Sequence, residues 1–392
     1  MKYYTTPQTV FDAMTKKILI STALSGFVKA FLEKDVLILQ SMGYEVHFAS
    51  NNTIDGEKYI PYFEKMGIVF HQVDFSSNNP FSRNTLNCLR QFSDILKQEG
   101  FDAVHIHTPI PGVIGRIAAN KYRRKGTKVL YTTHGFYFHK KSDIKTKLIY
   151  KTVEIIMSAM TDAVITINKE DYEAAKRMLC KNVFLIPGMG VDIMRFRNVE
   201  VNRTEYRESL GISEDAFMIL TVGELSRRKN HKVIVEALSK CAIPNAVFVI
   251  CGEALTGDDT RNMLIEMASE RGVDLKLLGN RKDIPEICKC ADIGVLPSLR
   301  EGLGLAGIEM LASGMPIVAS GLHGIVDYVR DGYNGFLADP LNSSDFADKI
   351  KKLYDPEIRN NMAINCSASV EQFDIKKSKE SIEKIYRKML GD

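Results

Sequence analysis

Two carboxylates, Glu301 and Glu309, bracket a run of small and apolar residues in the segment Arg300-Glu-Gly-Leu-Gly-Leu-Ala-Gly-Ile-Glu309. The apolar run Ile293 to Pro297 leads into it and reads as a strand. Glu301 then falls where a strand ends, and Glu309 lies about one to two turns inside the following helix. A carboxylate accepts hydrogen bonds from hydroxyls. Gly302, Gly304 and Gly307 let backbone amides come close to a ligand, and the free N–H groups of a first helical turn face an anion. One short segment therefore offers hydroxyl and phosphate recognition together, the two halves of a nucleotide-sugar site.

A second polar cluster follows another apolar run. Gly223-Glu-Leu-Ser-Arg-Arg-Lys-Asn230 comes directly after Phe217 to Val222, so Arg227, Arg228 and Lys229 stand at a loop-to-helix junction. Three cations there suit a diphosphate, each charge-assisted hydrogen bond contributing about 1.5–3 kcal/mol. His134 follows the run Lys128 to Thr132 and precedes Gly135 and the aromatics Phe136-Tyr-Phe138, which puts it at a carboxyl edge. His105 and His107 share one face of a strand, but no third ligand at metal spacing follows them, so no metal site is expected.

The elements that must position these groups alternate along the whole chain. Short apolar runs recur at Lys17 to Thr22, Glu45 to Ser50, Ala103 to His107, Lys128 to Thr132, Ala163 to Ile167 and Val183 to Ile186, separated by helical spacing such as Phe27 to Met42 and Leu86 to Gln98. The pattern restarts with Phe217 to Val222, Ala246 to Cys251, Leu275 to Leu278, Ile293 to Pro297 and Pro316 to Ser320. Gly314 and Pro316 stop the helix that carries Glu309, and a second glycine loop, Gly321-Leu-His-Gly324, opens the next one. The fold class is α/β, with two doubly wound Rossmann-like domains facing across a cleft. The boundary is expected in the charged segment Arg195 to Glu208, giving domains over 1–198 and 199–374.

Charge is divided unevenly between them. Residues 1–198 hold 27 Lys+Arg against 18 Asp+Glu, a net of +9, and the remainder nets −5, which sums to the overall +4. Between Lys121 and Lys151 there are ten basic residues and one acid, Asp143. Such a face attracts an anionic membrane surface or a lipid diphosphate. Nucleic acid is not expected, because no binding motif or interleaved aromatic pattern accompanies the basic run. The polar start of the chain has no leader pattern, no run reaches the length of a membrane span, and the seven scattered cysteines fit neither a zinc site nor a disulfide framework. The expected location is the cytoplasm, peripheral at the inner face of the cytoplasmic membrane.

With these motifs in place, the chain resembles the family 4 glycosyltransferases of GT-B fold, of the bacterial exopolysaccharide or capsule type. The resemblance rests on Glu301 to Glu309, Val222-Gly-Glu-Leu-Ser-Arg-Arg-Lys229, Ala291-Asp-Ile-Gly-Val-Leu-Pro-Ser298, Pro187-Gly-Met-Gly-Val-Asp192 with Phe196, and Thr132-Thr-His-Gly-Phe136, in that family's order. It implies that Glu309 binds the ribose hydroxyls and Glu301 the donor sugar, with the amides of Gly302, Leu303, Gly304 and Leu305 near sugar and phosphate. Lys229 would neutralise the departing diphosphate, joined by Arg228. His134 would approach the transferred sugar. Gly26 would lie in a loop covering the diphosphate, Arg281 would border the base, and a final helix over about 375–392 would pack back on the first domain.

The resemblance further implies a retaining, metal-independent transfer from a nucleotide sugar, with UDP the nucleotide of family habit and no other cofactor. The acceptor would be a polyprenyl-diphosphate-linked or soluble saccharide. Many relatives place arginine where this chain has Glu224, so either Arg228 replaces that cation or Glu224 has another role, such as orienting Lys229. Two alternatives share these motifs: a sugar-nucleotide 2-epimerase of the same fold, and a non-catalytic sugar-nucleotide-binding subunit. An NAD-dependent enzyme fits less well, because Ser21-Thr-Ala-Leu-Ser-Gly26 has one glycine where a dinucleotide fingerprint needs three.

Overall fold

The computed structural model describes residues 16–53, 58–75, 83–254 and 257–391. The first sheet contains β1 (Lys16–Leu24), β2 (Tyr44–Asn51), β3 (Val69–Gln72), β4 (Ala103–His107), β5 (Lys128–Thr132), β6 (Ala163–Thr166) and β7 (Asn182–Leu185), ordered 3-2-1-4-5-6-7. The second contains β8 (Phe217–Val222), β9 (Ala246–Cys251), β10 (Asp274–Gly279), β11 (Ile293–Leu296), β12 (Ile317–Ser320) and β13 (Gly335–Ala338), ordered 10-9-8-11-12-13. Strands pair in parallel throughout both sheets. Strands such as β6, β11 and β12 are buried along their whole length, which is why each reads as a short, largely apolar run. Strand order reverses between β1 and β4 and again between β8 and β11. The loops leaving those carboxyl ends diverge and open a crevice in each domain.

Each apolar run named above forms a strand. Two further strands, β3 and β13, carry weaker signals. In β3, Val-Phe-His-Gln lies at the sheet edge with no buried residue, and β13 opens on a glycine. The charged segment around residue 200 is more structured than a linker. Helices Ile193–Arg197 and Arg203–Ser209 form there, capped by the side chains of Asp192 and Asn202. Arg207 is fully buried. Its guanidinium donates to the carbonyls of Cys290, Glu214 and Ala216 at 2.8–2.9 Å and to Asp292 Oδ2 at 2.8 Å. Asp292 also accepts from the backbone N–H of Met218 at 2.7 Å, so the pair ties the segment to β8 and β11.

The helix Ile375–Leu390 returns to the first domain. It docks on the Pro187–Asp192 segment: Ile375 N donates to the Val191 carbonyl at 2.9 Å and Ser378 Oγ to the Gly188 carbonyl at 2.7 Å. Gly190 has φ +85°, and a Cβ there would meet the Ile375 α-carbon at 2.6 Å. Near the far end, the buried Tyr386 hydroxyl donates to Asp35 Oδ1 at 3.0 Å and lies 2.8 Å from His105 Nδ1.

Breaking a buried ion pair strands the surviving charge. Arg207→Met should therefore lower stability by about 3 kcal/mol in chemical denaturation. Arg203, 42% exposed in its own bond to Asp292, should cost less than about 1 kcal/mol when changed to Met. Equal losses in the two variants would show that the burial of Arg207 is not what matters.

Candidate active site

Lys229 and Glu301 come from the loops after β8 and β11, the two strands that flank the reversal of the second sheet. They meet there, with Lys229 Nζ 2.6 Å from Glu301 Oε1. The same oxygen accepts from Ser298 Oγ at 2.8 Å and sits 3.4 Å from Arg228. Burial opposes ionisation of Glu301, but Lys229 and Arg228 outweigh it and hold the carboxyl below its ordinary value. Glu224 resolves one of the readings left open above. Its Oε1 accepts from Arg228 at 2.9 Å and from Ser226 Oγ at 3.0 Å, so it orients Arg228 rather than Lys229. Asn230, at φ +57°, pins this loop by donating to the carbonyls of Pro297 and Pro340.

The glycines of the Glu301 segment also admit close contacts within the protein. Gly302 lies against the first domain: a Cβ on it would sit 1.9 Å from the carbonyl oxygen of His134. A Cβ on Gly135 would be 2.7 Å from the Gly302 α-carbon, and one on Gly324 would be 2.0 Å from the Gly302 carbonyl oxygen. Gly307 makes room for the Tyr328 hydroxyl, and Leu303 is buried against Gly188. Gly304 adopts the left-handed conformation that starts the helix Leu305–Ala312, so its role is to turn the chain. Leu305 opens that helix, and within its first turn the Gly307 N–H already donates to the Gly304 carbonyl at 2.9 Å.

Around this contact runs a buried polar clamp that sequence reasoning missed. Asn168 Nδ2 donates to the Gly302 carbonyl at 2.8 Å and to Asp171 Oδ2 at 2.8 Å. Asp171 also accepts from the backbone N–H of Phe136 at 3.0 Å and from His323 Nε2 at 2.9 Å. Burial disfavours the charged form of His323, but Asp171 overrides it and raises the imidazole above its ordinary value. The sequence signal available was indirect. His323 lies in the second glycine loop, and Asn168 caps the helix Lys169–Ala175.

His134 stands at the rim of the first crevice. Its Nε2 is 3.1 Å from His107 Nδ1, and its ring meets Phe27 edge-on at 4.9 Å between centroids. Burial first, and Lys34 second, push it down to about 3, so the ring is neutral at physiological pH. His105 holds a structural position between Tyr386 and Thr132 Oγ1, both at 2.8 Å. Among the described residues, the group able to gather three metal-ligating atoms is instead His47, His71 and Glu99, where Lys17 already pairs with Glu99 at 3.0 Å.

Glu309 is partly buried in the helix Leu305–Ala312 with no side-chain hydrogen bond among the described residues. Burial pushes its carboxyl up to about 6 against weaker pulls from Arg195 and Lys229. Arg281 forms a two-point bond with Asp283, and its loop borders a cavity of about 400 Å³ at the carboxyl ends of β8, β9 and β10, lined also by Gly223, Glu224 and Glu253. Gly26 follows β1, where a Cβ would sit 2.7 Å from the Tyr59 hydroxyl. The structure thus brings Lys229, Arg228 and Glu301 together and sets the adjoining Gly302 against the His134 backbone, while Arg281 borders the cavity of about 400 Å³ and Gly26 packs beside Tyr59.

Comparison with known proteins agrees with this fold. The family model "Glycosyl transferases group 1" matches residues 202–368, and "Glycosyltransferase Family 4" matches residues 38–193. EpsD of Bacillus subtilis (strain 168), named as a glycosyltransferase, is 36% identical over 380 residues, covering 95% of this chain and 97% of its own. The UDP-Gal:alpha-D-GlcNAc-diphosphoundecaprenol alpha-1,3-galactosyltransferase of Escherichia coli is 34% identical over 76% of this chain and 78% of its own. Among solved structures, Anabaena HepE in complex with UDP and glucose superposes with a TM-score of 0.75 at 21% identity, over 95% of this chain and all of that one, which speaks for the fold. With two doubly wound domains, both halves matched and a 36% identical relative covering nearly its whole length, the chain belongs to glycosyltransferase family 4 and has the GT-B fold.

Proposed function

We propose that the protein is a retaining, metal-independent glycosyltransferase that moves a sugar from a UDP-sugar to a saccharide carried on a polyprenyl diphosphate. The observation that carries this reading is the Lys229–Glu301 pair, set at the strand-order reversal of the second sheet and one residue from the contact of Gly302 with the His134 backbone carbonyl. The named activity of the Escherichia coli relative supports the donor and acceptor classes. A cavity of about 640 Å³ is lined by Lys140, Lys147, Lys151, Lys169 and Arg177 together with Glu170, Asp171, Glu173 and Asp327, so its charge is mixed. The excess of basic residues in the first domain supports attachment to an anionic membrane surface, with the protein peripheral at the inner face of the cytoplasmic membrane.

On this reading the ribose hydroxyls donate to Glu309 and a sugar hydroxyl donates to Glu301. The diphosphate lies toward Lys229, Arg228 and the amides of the first helical turn. As the bond from the anomeric carbon to the diphosphate breaks, the sugar gains oxocarbenium character and negative charge collects on the leaving oxygen. Fixed cations and amides stabilise that charge without reorganising. The acceptor hydroxyl oxygen bonds to the anomeric carbon on the face the diphosphate leaves, and its proton passes to a donor phosphate oxygen. His134 stays neutral, and Nδ1 is the nitrogen left to meet substrate, because Nε2 is engaged by His107.

Glu309→Ala should raise the donor dissociation constant by about tenfold to a hundredfold, the scale of one or two lost hydrogen bonds to a charged group. Glu301→Ala should lower turnover more than donor affinity, because its partner is the reacting sugar. Calorimetric titration with UDP-sugars and steady-state kinetics measure both, and wild-type values in the two variants would remove the site.

The pH dependence has a defined sign. A carboxyl with a pKa of about 6 loses its charge as pH falls through that value. If only the ionised form accepts from both hydroxyls, donor affinity should fall by up to about tenfold per pH unit below 6, with a plateau above it. Glu309→Gln should bind more weakly but flatten that slope. A slope that survives in the variant would assign the titration to another group.

Activity in EDTA should equal activity with added Mg or Mn, because Lys229 and Arg228 supply the positive charge. Loss in chelator with recovery on metal addition would overturn the metal-independent assignment.

A further inference from the structure

Away from the cleft, five polar side chains from four elements meet on one face of the first sheet. Lys17 lies near the start of β1, Glu45 and His47 in β2, His71 in β3, and Glu99 ends the helix Arg83–Glu99. Lys17 and Glu45 stand at the amino ends of their strands and Glu99 leads into β4, so the cluster sits toward the edge opposite the carboxyl ends that form the crevice. His47 is 1% exposed. Its ring stacks on that of His71 at 5.1 Å between centroids and is met edge-on by Phe101 at 5.0 Å.

The hydrogen bonds fix the tautomer of His47. Its Nε2 lies 2.7 Å from Glu45 Oε1, an acceptor when ionised, so Nε2 carries a proton. Burial disfavours a second proton on the ring. Nδ1 therefore keeps its lone pair, and it faces His71 Nε2 at 2.8 Å. With its own proton on Nδ1, His71 presents a second lone pair to the same point. A carboxylate on one imidazole nitrogen and a lone pair on the other is the arrangement by which proteins orient a metal-ligating histidine. Glu99 completes the set, since one ligand atom each from His47, His71 and Glu99 lies within 4.8 Å of the others. An ammonium group already addresses these acids. Lys17 Nζ is 3.0 Å from Glu99 and 3.8 Å from Glu45, and its side chain is 29% exposed, so it has a path out to water. Without Lys17, Glu45 and Glu99 leave two negative charges beside two neutral imidazoles, which a divalent ion balances.

We propose that His47 Nδ1, His71 Nε2 and Glu99 form a binding site for a zinc-type divalent cation, with Glu45 as the outer acceptor that orients His47 and Lys17 as the tethered cation the metal displaces. Two imidazoles and one carboxylate, with a fourth position for water, suit zinc and disfavour the oxygen-seeking magnesium and calcium. Nitrogens about 2.0–2.1 Å from a tetrahedral ion stand about 3.3 Å apart, so the two rings separate by about half an ångström from their 2.8 Å contact while Glu99 swings in. The role is structural. β3 lies at the sheet edge with no buried residue, and the ion ties it to β2 and to the end of the helix that precedes β4. None of these residues belongs to the Lys229–Glu301 site, so the metal independence proposed for transfer is unaffected.

Titration of the untagged protein with Zn(II) in a calorimeter, and with Co(II) by visible absorption, tests the site. A single equivalent should bind at micromolar concentration and raise the unfolding midpoint. The Co(II) spectrum should show the d–d bands of a nitrogen and oxygen site without thiolate charge transfer, consistent with seven buried cysteines. His71→Gln and Glu99→Gln should each abolish the midpoint shift, and Glu45→Gln should weaken binding by about tenfold to a hundredfold. Lys17→Gln, which keeps every ligand, should bind Zn(II) several-fold more tightly, a gain that a purely structural ion pair does not produce. Midpoints in EDTA separate a folding defect from lost metal, and if His71→Gln does not fold, the Lys17→Gln result still decides.

A wild-type protein that takes up no zinc would overturn the proposal. So would zinc uptake that both His71→Gln and Glu99→Gln retain, or Co(II) charge-transfer bands that assign the metal to cysteine. Weaker binding by Lys17→Gln would overturn the exchange of ammonium for metal.

Discussion

The two domains meet where backbone touches backbone. Gly302 of the second lies so close to the His134 carbonyl of the first that no side chain fits between them, and Gly324 closes on the other side of the same peptide. Much of the site depends on this contact. Glu301 precedes Gly302 directly and His134 carries the opposing carbonyl, so one van der Waals constraint fixes the backbones of these two loops relative to each other. Even a methyl group at 302 would force the loops apart by more than an ångström. The constraint is steric and not attractive, so polar bonds must hold it closed. Asn168, Asp171 and His323 supply them, with burial that makes each bond costly to leave unmade.

Within the second domain, one residue type serves two environments eight positions apart. Glu301 is surrounded by Lys229, Arg228 and Ser298 and stays ionised. Glu309 has no such partners, and its carboxyl rises to about 6. The difference follows from the strand order. Glu301 is on the loop, within reach of the neighbouring loop after β8, whereas Glu309 is on the helix wall behind it.

Much of this was legible before any coordinates. Parallel strands buried on both faces leave continuous apolar runs, so the alternation and the division into two sheets follow from the sequence. Glu301, Lys229 and His134 each sit immediately after such a run, and chain position alone placed them at carboxyl edges. What escaped reading depends on contacts between distant segments. Asp171 and His323 are 152 residues apart, and neither is unusual locally. Arg207 resembles the surface charges around it, and only the fold reveals that its guanidinium replaces solvent with three carbonyls and a carboxylate. Gly302 was recognised as a point of close approach, but sequence could not show that the backbone of the opposite domain comes that close to it.

The Lys229–Glu301 bond also bears on how a reaction cycle would end. On the proposed reading, a nucleoside diphosphate does not meet bare ammonium groups in this crevice. It exchanges places with carboxylates that already neutralise them, Glu301 at Lys229 and Glu224 at Arg228. After transfer, those carboxylates remain tethered within reach and compete for the same cations. The enzyme would thus contain its own displacing anion, so that the spent nucleotide is expelled by a rearrangement already present in the resting protein.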